Sequence, residues 1–402
     1  MRIGLITMVV ALAIPCGAAQ AQKKYDSGAS DTEVRIGQTM PYSGPVSGLS
    51  LLGRVQASYF QMLNERGGIN GRVIKLISAD DAYSPPKTVE QTRRLVEQEE
   101  VLALMGSLGT PTNIAVRKYL NQKKVPQLLV LSSSAQWNSP REYPYSTSMN
   151  IAADQEAIAM GRYIAGKHLG AKIGILYQND DYGKDFVRGL KEGLGETGRR
   201  AIVQELSYEV SAPTIDSQVV TLKAAGADVV VAAATPKFAA LAARKMFEMQ
   251  WKPHRYMAAG AIGSLQSALD PEIAKGLISI AFYRDPNDPK LEIEEDGKEY
   301  FEFMKKYAPN DNPREMAAVF AYVTAQVGAA ILRQCGDDLT RDNLLRVATN
   351  LKNVPIKLLL DGVSINTSPT DYLPIKRARM IEFDGASWQA FGDLIDAPTP
   401  PQ

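Results

Sequence analysis

Histidine and cysteine are scarce: the 402-residue chain has two of each. Cys16 falls in an N-terminal apolar stretch, which leaves Cys335 without an intramolecular disulfide partner once that stretch is removed. His168 and His254 stand far apart in sequence and each alone, and no His pair has metal-ligand spacing. Cys-x-x-Cys and Gly-x-Ser-x-Gly are also absent. Catalytic and metal-binding residues are therefore not assigned, no cofactor is expected, and the chain does not read as an enzyme. An excess of charge is lacking too: the 45 basic residues less Arg2 balance the 44 acidic ones. Such a chain has no electrostatic footprint for nucleic acid or an anionic membrane. Past the N-terminus, no run reads as approaching the ~20 apolar residues that cross a bilayer.

What is present begins with MRIGLITMVVALAIPCGAAQAQ. Arg2, an apolar run and Ala19-Gln20-Ala21 make a secretory signal cleaved after Ala21. Pro15 before Cys16 argues against a lipid-attached cysteine. The mature chain is expected to be exported, and its length is that of two lobes.

Strand and helix patterns alternate through most of it. Strand 34–39 is followed by a helix near Arg54–Arg66, stopped by Gly67-Gly68. Asn70-Gly71 turns into strand 73–80; then come a helix near Val89–Gln98, strand VLALM, loop GSLGTPTN, a helix to about Lys123, and strand 126–131. From about Asn150 the rhythm restarts with helix Gln155–Leu169, strand 172–177, helix Gly183–Gly193, strand AIVQELSY, helix Gln218–Ala225, strand 227–234 and helix Phe238–Gln250. Repeated β-α-β units predict an α/β fold of two doubly wound parallel-sheet lobes. Gly109-Thr110-Pro111 and Ala234-Thr235-Pro236 echo each other, each placing a Thr N-cap and a Pro at the first helical position after a buried strand. Those strand ends are where such folds bind ligands.

Three motif matches carry no chemistry. Ser84-Pro85-Pro86-Lys87 fits Ser-x-x-Lys, but its prolines predict a turn. GLGETG has dinucleotide-loop spacing at Gly193, Gly195 and Gly198, yet it ends a helix instead of opening one, so its glycines are caps and a turn. GSLGTPTN lacks the Gly-Lys-Ser/Thr of a phosphate loop. It keeps helix-end donors and the Thr110 hydroxyl, which suit a carboxylate; the other reading of Thr110 is a plain helix cap.

The runs VRIGQTMPYSGPVSG, NERGGINGRVIKLISADDAYSPPKTVEQTRRLVEQEEVLALMGSLGTPTN, VPQLLVLSSSAQ and GILYQNDDYGKDF together resemble the leucine/isoleucine/valine-binding protein family, the type I periplasmic solute-binding proteins of ABC importers. The resemblance is collinear over nearly the whole mature chain. It implies crossovers near Ser146–Asn150, Ala281–Asp285 and Leu358–Asp361, lobe one as 33–148 plus 284–359, lobe two as 149–283 plus 360–395, and a flexible tail 396–402. It also implies a monomer in the periplasm, handing a small molecule to an inner-membrane ABC permease after hinge closure. A sensor reporting to a membrane receptor is the runner-up. A repressor is disfavoured, because the signal peptide stands where a helix-turn-helix would be.

By that resemblance Thr110, flanked by Leu108 and Gly109, matches the serine hydroxyl holding a ligand carboxylate; Ser133 matches a backbone contact; Tyr182 matches the tyrosine covering the ligand. Ala135 replaces a threonine that helps hold an α-amino group. Ala259, Gly260 or Ala261 replaces the acid that faces the ammonium, Thr235 or Pro236 an aromatic, and Leu49 the aromatic lid. Tyr83 and Gly109 replace the family's two cysteines. An ammonium without its acidic partner costs several kcal/mol, unless Asp180 or Asp181 swings in. The implied pocket is roomy and lined by Ala233, Ala234, Ala258, Ala259 and Ser132, Ser133 and Ser134. Tyr42 and Trp137 are candidate stacking surfaces, with lobe packing the other reading for Trp137. The expected ligand is a hydrophobic or aromatic carboxylate, such as a phenylpropanoid or benzoate-like acid; a branched-chain or other amino acid or amide is the alternative.

Overall fold

The computed structural model describes residues 23–396; the leader expected over 1–21, and all of the expected tail but Asp396, lie outside the described residues. Two sheets organise the chain. In the first, all strands are parallel, in the order Val73–Asp80, Glu33–Met40, Ala103–Met105, Gln127–Val130, Ser146–Ser148. In the second the order is Trp388–Asp396, Arg377–Phe383, Leu277–Ala281, His254–Met257, Val229–Ala233, Ile173–Gln178, Ile202–Tyr208. Its five inner and far strands are parallel, and Arg377–Asp396 adds an antiparallel hairpin at one edge. The continuously apolar runs behave as the pattern predicts: Val229–Ala233 and Gln127–Val130 are buried throughout, with helices on both faces of their sheets.

The chain leaves the first sheet after Ser148 and leaves the second after Ala281. At the third passage, Leu359 bridges Tyr283. The next stretch departs from expectation. Ile365 bridges Val354, Thr367 Oγ1 donates to Ala348 O (2.8 Å), and Tyr372 N donates to Asn138 Oδ1 (2.8 Å). These partners belong to the first lobe, so the chain joins the second sheet only at Arg377.

Helix Met316–Cys335 is long and apolar enough to cross a membrane, which the sequence reading overlooked. Here it is the central core helix of the first lobe, buried along nearly its whole length. Tyr322 packs edge-on against Tyr59 of helix Leu51–Glu65, with centroids 5.2 Å apart. Gly328 lets it approach the first sheet, since a Cβ there would lie 2.6 Å from the Met105 sulfur. Cys335 ends this helix as a buried thiol, pushed up to about 12 by burial.

One motif expectation changes. Pro85 and Pro86 do not form a turn: they open helix Pro85–Glu97, where missing N–H donors cost nothing, and Lys87 pairs with Asp80 at 2.9 Å. GLGETG does end a helix: the helix that starts at Asp181 breaks at Gly195 (φ 64°, ψ −174°), a short second helical stretch runs on to Arg200, and Gly193 faces the neighbouring helix Ala153–Lys167.

Candidate functional site

A cavity of about 840 Å³, open mouth included, lies between the lobes. The first lobe contributes Val46, Leu49, Leu52, Tyr83, Leu108, Gly109, Thr110, Leu131, Ser132 and Ser133, with Ala317 and Phe320 from the core helix. Opposite stand Asn150, Ile151, Gln178, Tyr182, Ala234, Thr235, Ala259, Gly260 and Gly263, and the hinge adds Phe282 and Tyr283. Among the described residues its lining carries no charged side chain.

Helix Thr110–Gln122 points its N-terminus at this cavity. The N-cap is Gly109, at φ 111°, and Thr110 is already the first helical residue. Thr110 is therefore not the cap that the pattern suggested. Its hydroxyl lies 2.6 Å from Ser132 Oγ, and Ser132 Oγ accepts from Trp137 Nε1 at 2.7 Å. Only one of the two hydroxyl protons can be used between Thr110 and Ser132, so one remains to donate into the cavity. No side chain caps the helix, and its terminal N–H groups add a partial positive charge. Together they suit one singly charged anion.

Gly109 has a second consequence. A Cβ there would sit 2.6 Å from the Tyr83 ring and 2.4 Å from Thr112 Oγ1. Tyr83 and Gly109, which the resemblance sets in place of two cysteines, are thus in direct contact. Tyr83 reaches this place on a left-handed stretch, with φ 52° at Ala82 and 58° at Tyr83. Asp80 Oδ1 accepts from Ala82 N at 3.0 Å and Asp81 Oδ1 from Tyr83 N at 2.9 Å, bonds that hold the strained backbone.

Nine residues expected in the site from sequence line the cavity: Leu49, Leu108, Gly109, Thr110, Ser132, Ser133, Tyr182, Thr235 and Gly260. Four do not. Tyr42 turns away over Gly53, its hydroxyl 2.6 Å from Ser78 Oγ. Trp137 is 1% exposed, packs under Arg117, and acts on the cavity only through Ser132. Ser134 Oγ donates to Asp185 Oδ2 at 2.7 Å and Ala135 N donates to the same oxygen at 2.9 Å. Ser134 is held that way because its hydroxyl also caps the short turn Ala135–Trp137. Since Asp185 belongs to helix Asp181–Arg200, these bonds tie one lobe to the other.

The sequence reading missed the aromatic wall. Tyr283 stacks on Phe320 with centroids 5.5 Å apart, and Phe282 meets both edge-on. Tyr42 and Trp137 are the wrong source of aromatic surface because one comes instead from the hinge and the core helix, far along the chain. Asp180 and Asp181 also fail to line the cavity. Asp180 caps its helix by accepting from Gly183 N and also accepts from Gln178; burial raises its carboxyl to about 6.

One acid does lie close by. Glu156, in the first turn of helix Ala153–Lys167, is completely buried, and its Oε1 accepts from Ala259 N. Burial pushes its carboxyl up to about 8. Its Oε2 has no partner among the described residues, and neither has the Tyr182 hydroxyl. Asn150 Oδ1 and Thr235 Oγ1, which line the cavity, are unpartnered among the described residues as well; orphan polar groups cost about 1–3 kcal/mol each, so four at or beside one cavity point to something that satisfies them. Burial also raises the Tyr182 hydroxyl well above its usual range.

The histidines are not solitary, as expected, but paired: the His168 and His254 rings lie tilted at 33° with centroids 4.1 Å apart, and His168 Nε2 is 2.7 Å from the Tyr256 hydroxyl. Burial and the neighbouring imidazole lower the His168 pKa. They are remote from the cavity, and among the described residues no group of three or more His, Cys, Asp or Glu could hold a metal.

A family model described as periplasmic binding protein matches residues 33–386. The Leu/Ile/Val-binding protein homolog 7 of Brucella abortus (strain 2308) is 27% identical over 345 residues, 80% of each chain. A branched-chain amino acid ABC transporter protein from Thermus thermophilus, solved with bound valine, superposes with TM-score 0.78 at 16% identity, over 91% of this chain and 97% of that one. An ABC-transporter solute-binding protein from R. palustris in complex with benzoate gives TM-score 0.74 at 18% identity, over 90% and 96%. At these identities the two structures share the fold with this chain.

Proposed function

The chain belongs to the periplasmic binding protein family, and from that premise we propose that it captures a small hydrophobic or aromatic carboxylate for an inner-membrane ABC importer. Members of this family are binding proteins that deliver ligands to ABC permeases, not enzymes. The observation that carries the choice of ligand is the pairing of one anion-directed end with an uncharged, apolar remainder. Thr110, Ser132 and the helix start suit a carboxylate; Leu49, Leu52, Leu108, Phe282, Tyr283 and Phe320 suit a ring or chain. Cleavage after Ala21, export to the periplasm and action as a monomer complete the proposal.

A second reading, an amino-acid ligand, is favoured by Glu156, whose carboxyl bonds to the very loop from which the expected acid is missing. Against it stands the cost of ionising a carboxyl buried so completely.

A thermal-shift screen of the mature protein tests both. A ligand at 100 times its Kd adds about 2.7 kcal/mol. Benzoate- and phenylpropanoate-like acids are expected to raise the melting temperature, and leucine, isoleucine and valine are not. A large leucine shift sinks the carboxylic-acid reading. Thr110→Ala is expected to weaken a carboxylate ligand about tenfold or more, the worth of a hydrogen bond to a charged group. Affinity within about threefold of the parent would leave Thr110 a structural residue.

A further inference from the structure

Two hydroxyls meet at the anion-directed end of the cavity, Thr110 Oγ1 and Ser132 Oγ, 2.6 Å apart, and that distance alone lets either be the donor. What stands behind Ser132 decides the direction. Its Oγ accepts from Trp137 Nε1 at 2.7 Å and, at 3.4 Å, from Ser134 N. A hydroxyl oxygen has two lone pairs and one proton, whereas an indole or backbone N–H only donates. With both lone pairs taken, Ser132 Oγ is left to donate to Thr110 Oγ1. Thr110 then accepts from Ser132, and its own proton is free for the cavity that it lines. Ser132 and Trp137 are buried, so bulk water does not compete for the links behind Thr110. The indole is itself held in place. It ends the short turn Ala135–Trp137, which the Ser134 hydroxyl caps, and Arg117 lies over its ring, 5.3 Å from the centroid, while donating to Gln136 O at 2.8 Å.

We propose that Trp137 is a positioning residue that fixes the proton direction along Trp137, Ser132 and Thr110, so that Thr110 meets the ligand as a donor and the site selects a carboxylate over its neutral amide. This rests on the carboxylate reading above. The uncapped start of helix Thr110–Gln122 adds N–H donors at the same end. A carboxylate presents two oxygens that only accept, but a primary amide presents one oxygen and an NH2 group whose hydrogens would face those donors. Hydrogen bonds donated in series also polarise one another, which strengthens the last one, to the ligand. Without the indole N–H, Ser132 Oγ is free to accept from Thr110. The Thr110 oxygen can then face the cavity as an acceptor, and the discrimination relaxes.

Isothermal titration of the mature protein compares 3-phenylpropanoate with 3-phenylpropanamide, its neutral counterpart. The wild type is expected to bind the acid at least about tenfold tighter than the amide. The benzothiophene isostere of tryptophan at position 137 keeps the ring shape but lacks the N–H. It is expected to weaken the acid about three- to tenfold and the amide less than about twofold, and Trp137→Phe should act in the same direction. In a Ser132→Ala background the chain is already cut, so adding Trp137→Phe should cost the acid less than about twofold. No loss in the position-137 variants, an equal loss for acid and amide, or an undiminished loss in the Ser132→Ala background overturns the relay while leaving the carboxylate reading intact. If the wild type binds the amide as tightly as the acid, or binds neither, the carboxylate reading falls and the relay with it.

Discussion

Asp185 offers the most direct test of how the lobes are held together. It is 6% exposed, sits on a second-lobe helix, and accepts from Ser134 Oγ at 2.7 Å and Ala135 N at 2.9 Å on the first lobe. Arg188 Nη1 lies 2.5 Å from its other oxygen. Charged hydrogen bonds contribute about 1.5–3 kcal/mol each. Opening returns all three groups to water, which sets the pair at roughly 2–4 kcal/mol in favour of closure. Asp185→Ala should therefore lower the closed-to-open ratio by roughly 30- to 700-fold. Ligand affinity should fall by up to the same factor, because apparent affinity scales with the binding-competent fraction. Spin labels on cysteines introduced at the exposed positions Gln122 and Glu192 would report the distance between lobes. Cys335 would not interfere, since its thiol is buried and held protonated. The variant without ligand should show a longer distance than the wild type. The same distance in both proteins, together with affinities within twofold, would refute the latch.

The remaining predictions concern stability. Because Glu156 titrates near 8 when folded and near 4.5 when unfolded, its contribution is fully present below about pH 4.5 and is lost as pH rises to about 8. Glu156→Gln should gain stability relative to wild type across that window, by up to several kcal/mol; urea melts at pH 4.5, 6 and 8 check it, and a pH-independent difference rejects it. Glu315, raised to about 7, and Asp180, raised to about 6, titrate in both proteins and cancel in the comparison. Gly193→Ala would put a Cβ 2.2 Å from Ile158 O, forcing two helices apart at a cost of about 1–3 kcal/mol. Gly166→Ala, on one of those helices but meeting nothing within 4 Å, should be neutral or stabilising by up to about 1 kcal/mol in the same urea melts.

Local patterns carried the sequence reading well and chain-distant contacts did not. The alternation of apolar strands and helices is set by neighbours in sequence, so the two parallel sheets were legible, as was the helix start at Thr110. The exact cap was not, because it turns on the φ of Gly109. Ser134 and Ala135 share a serine-rich loop with Ser132 and Ser133, but a turn of one residue sends them to Asp185 instead of the cavity. Phe282, Tyr283 and Phe320 join the site from the hinge and the core helix, and no spacing in sequence links them to Thr110. Glu156 left a signal that could have been used. It falls among Ala153, Ala157, Met160 and Ile164, the buried stripe of its helix, where an acid is out of place.

The pair Tyr83 and Gly109 shows why the two family cysteines have to be replaced together. Gly109 must lack a side chain, since its φ of 111° and the Tyr83 ring 2.6 Å from its would-be Cβ leave no room for one. A cysteine kept at 109 would therefore expel Tyr83, and a small residue at 83 would leave a void beside the helix start that carries Thr110. A disulfide would fix these loops covalently within the first lobe. The tyrosine fixes them by packing, and it also presents a polar edge to Gln178 of the second lobe, which neighbours it in the cavity wall. The exchange moves one restraint from inside a lobe to the cleft between lobes. Two noncovalent contacts then span the lobes, Tyr83 against Gln178 and Ser134 with Ala135 against Asp185.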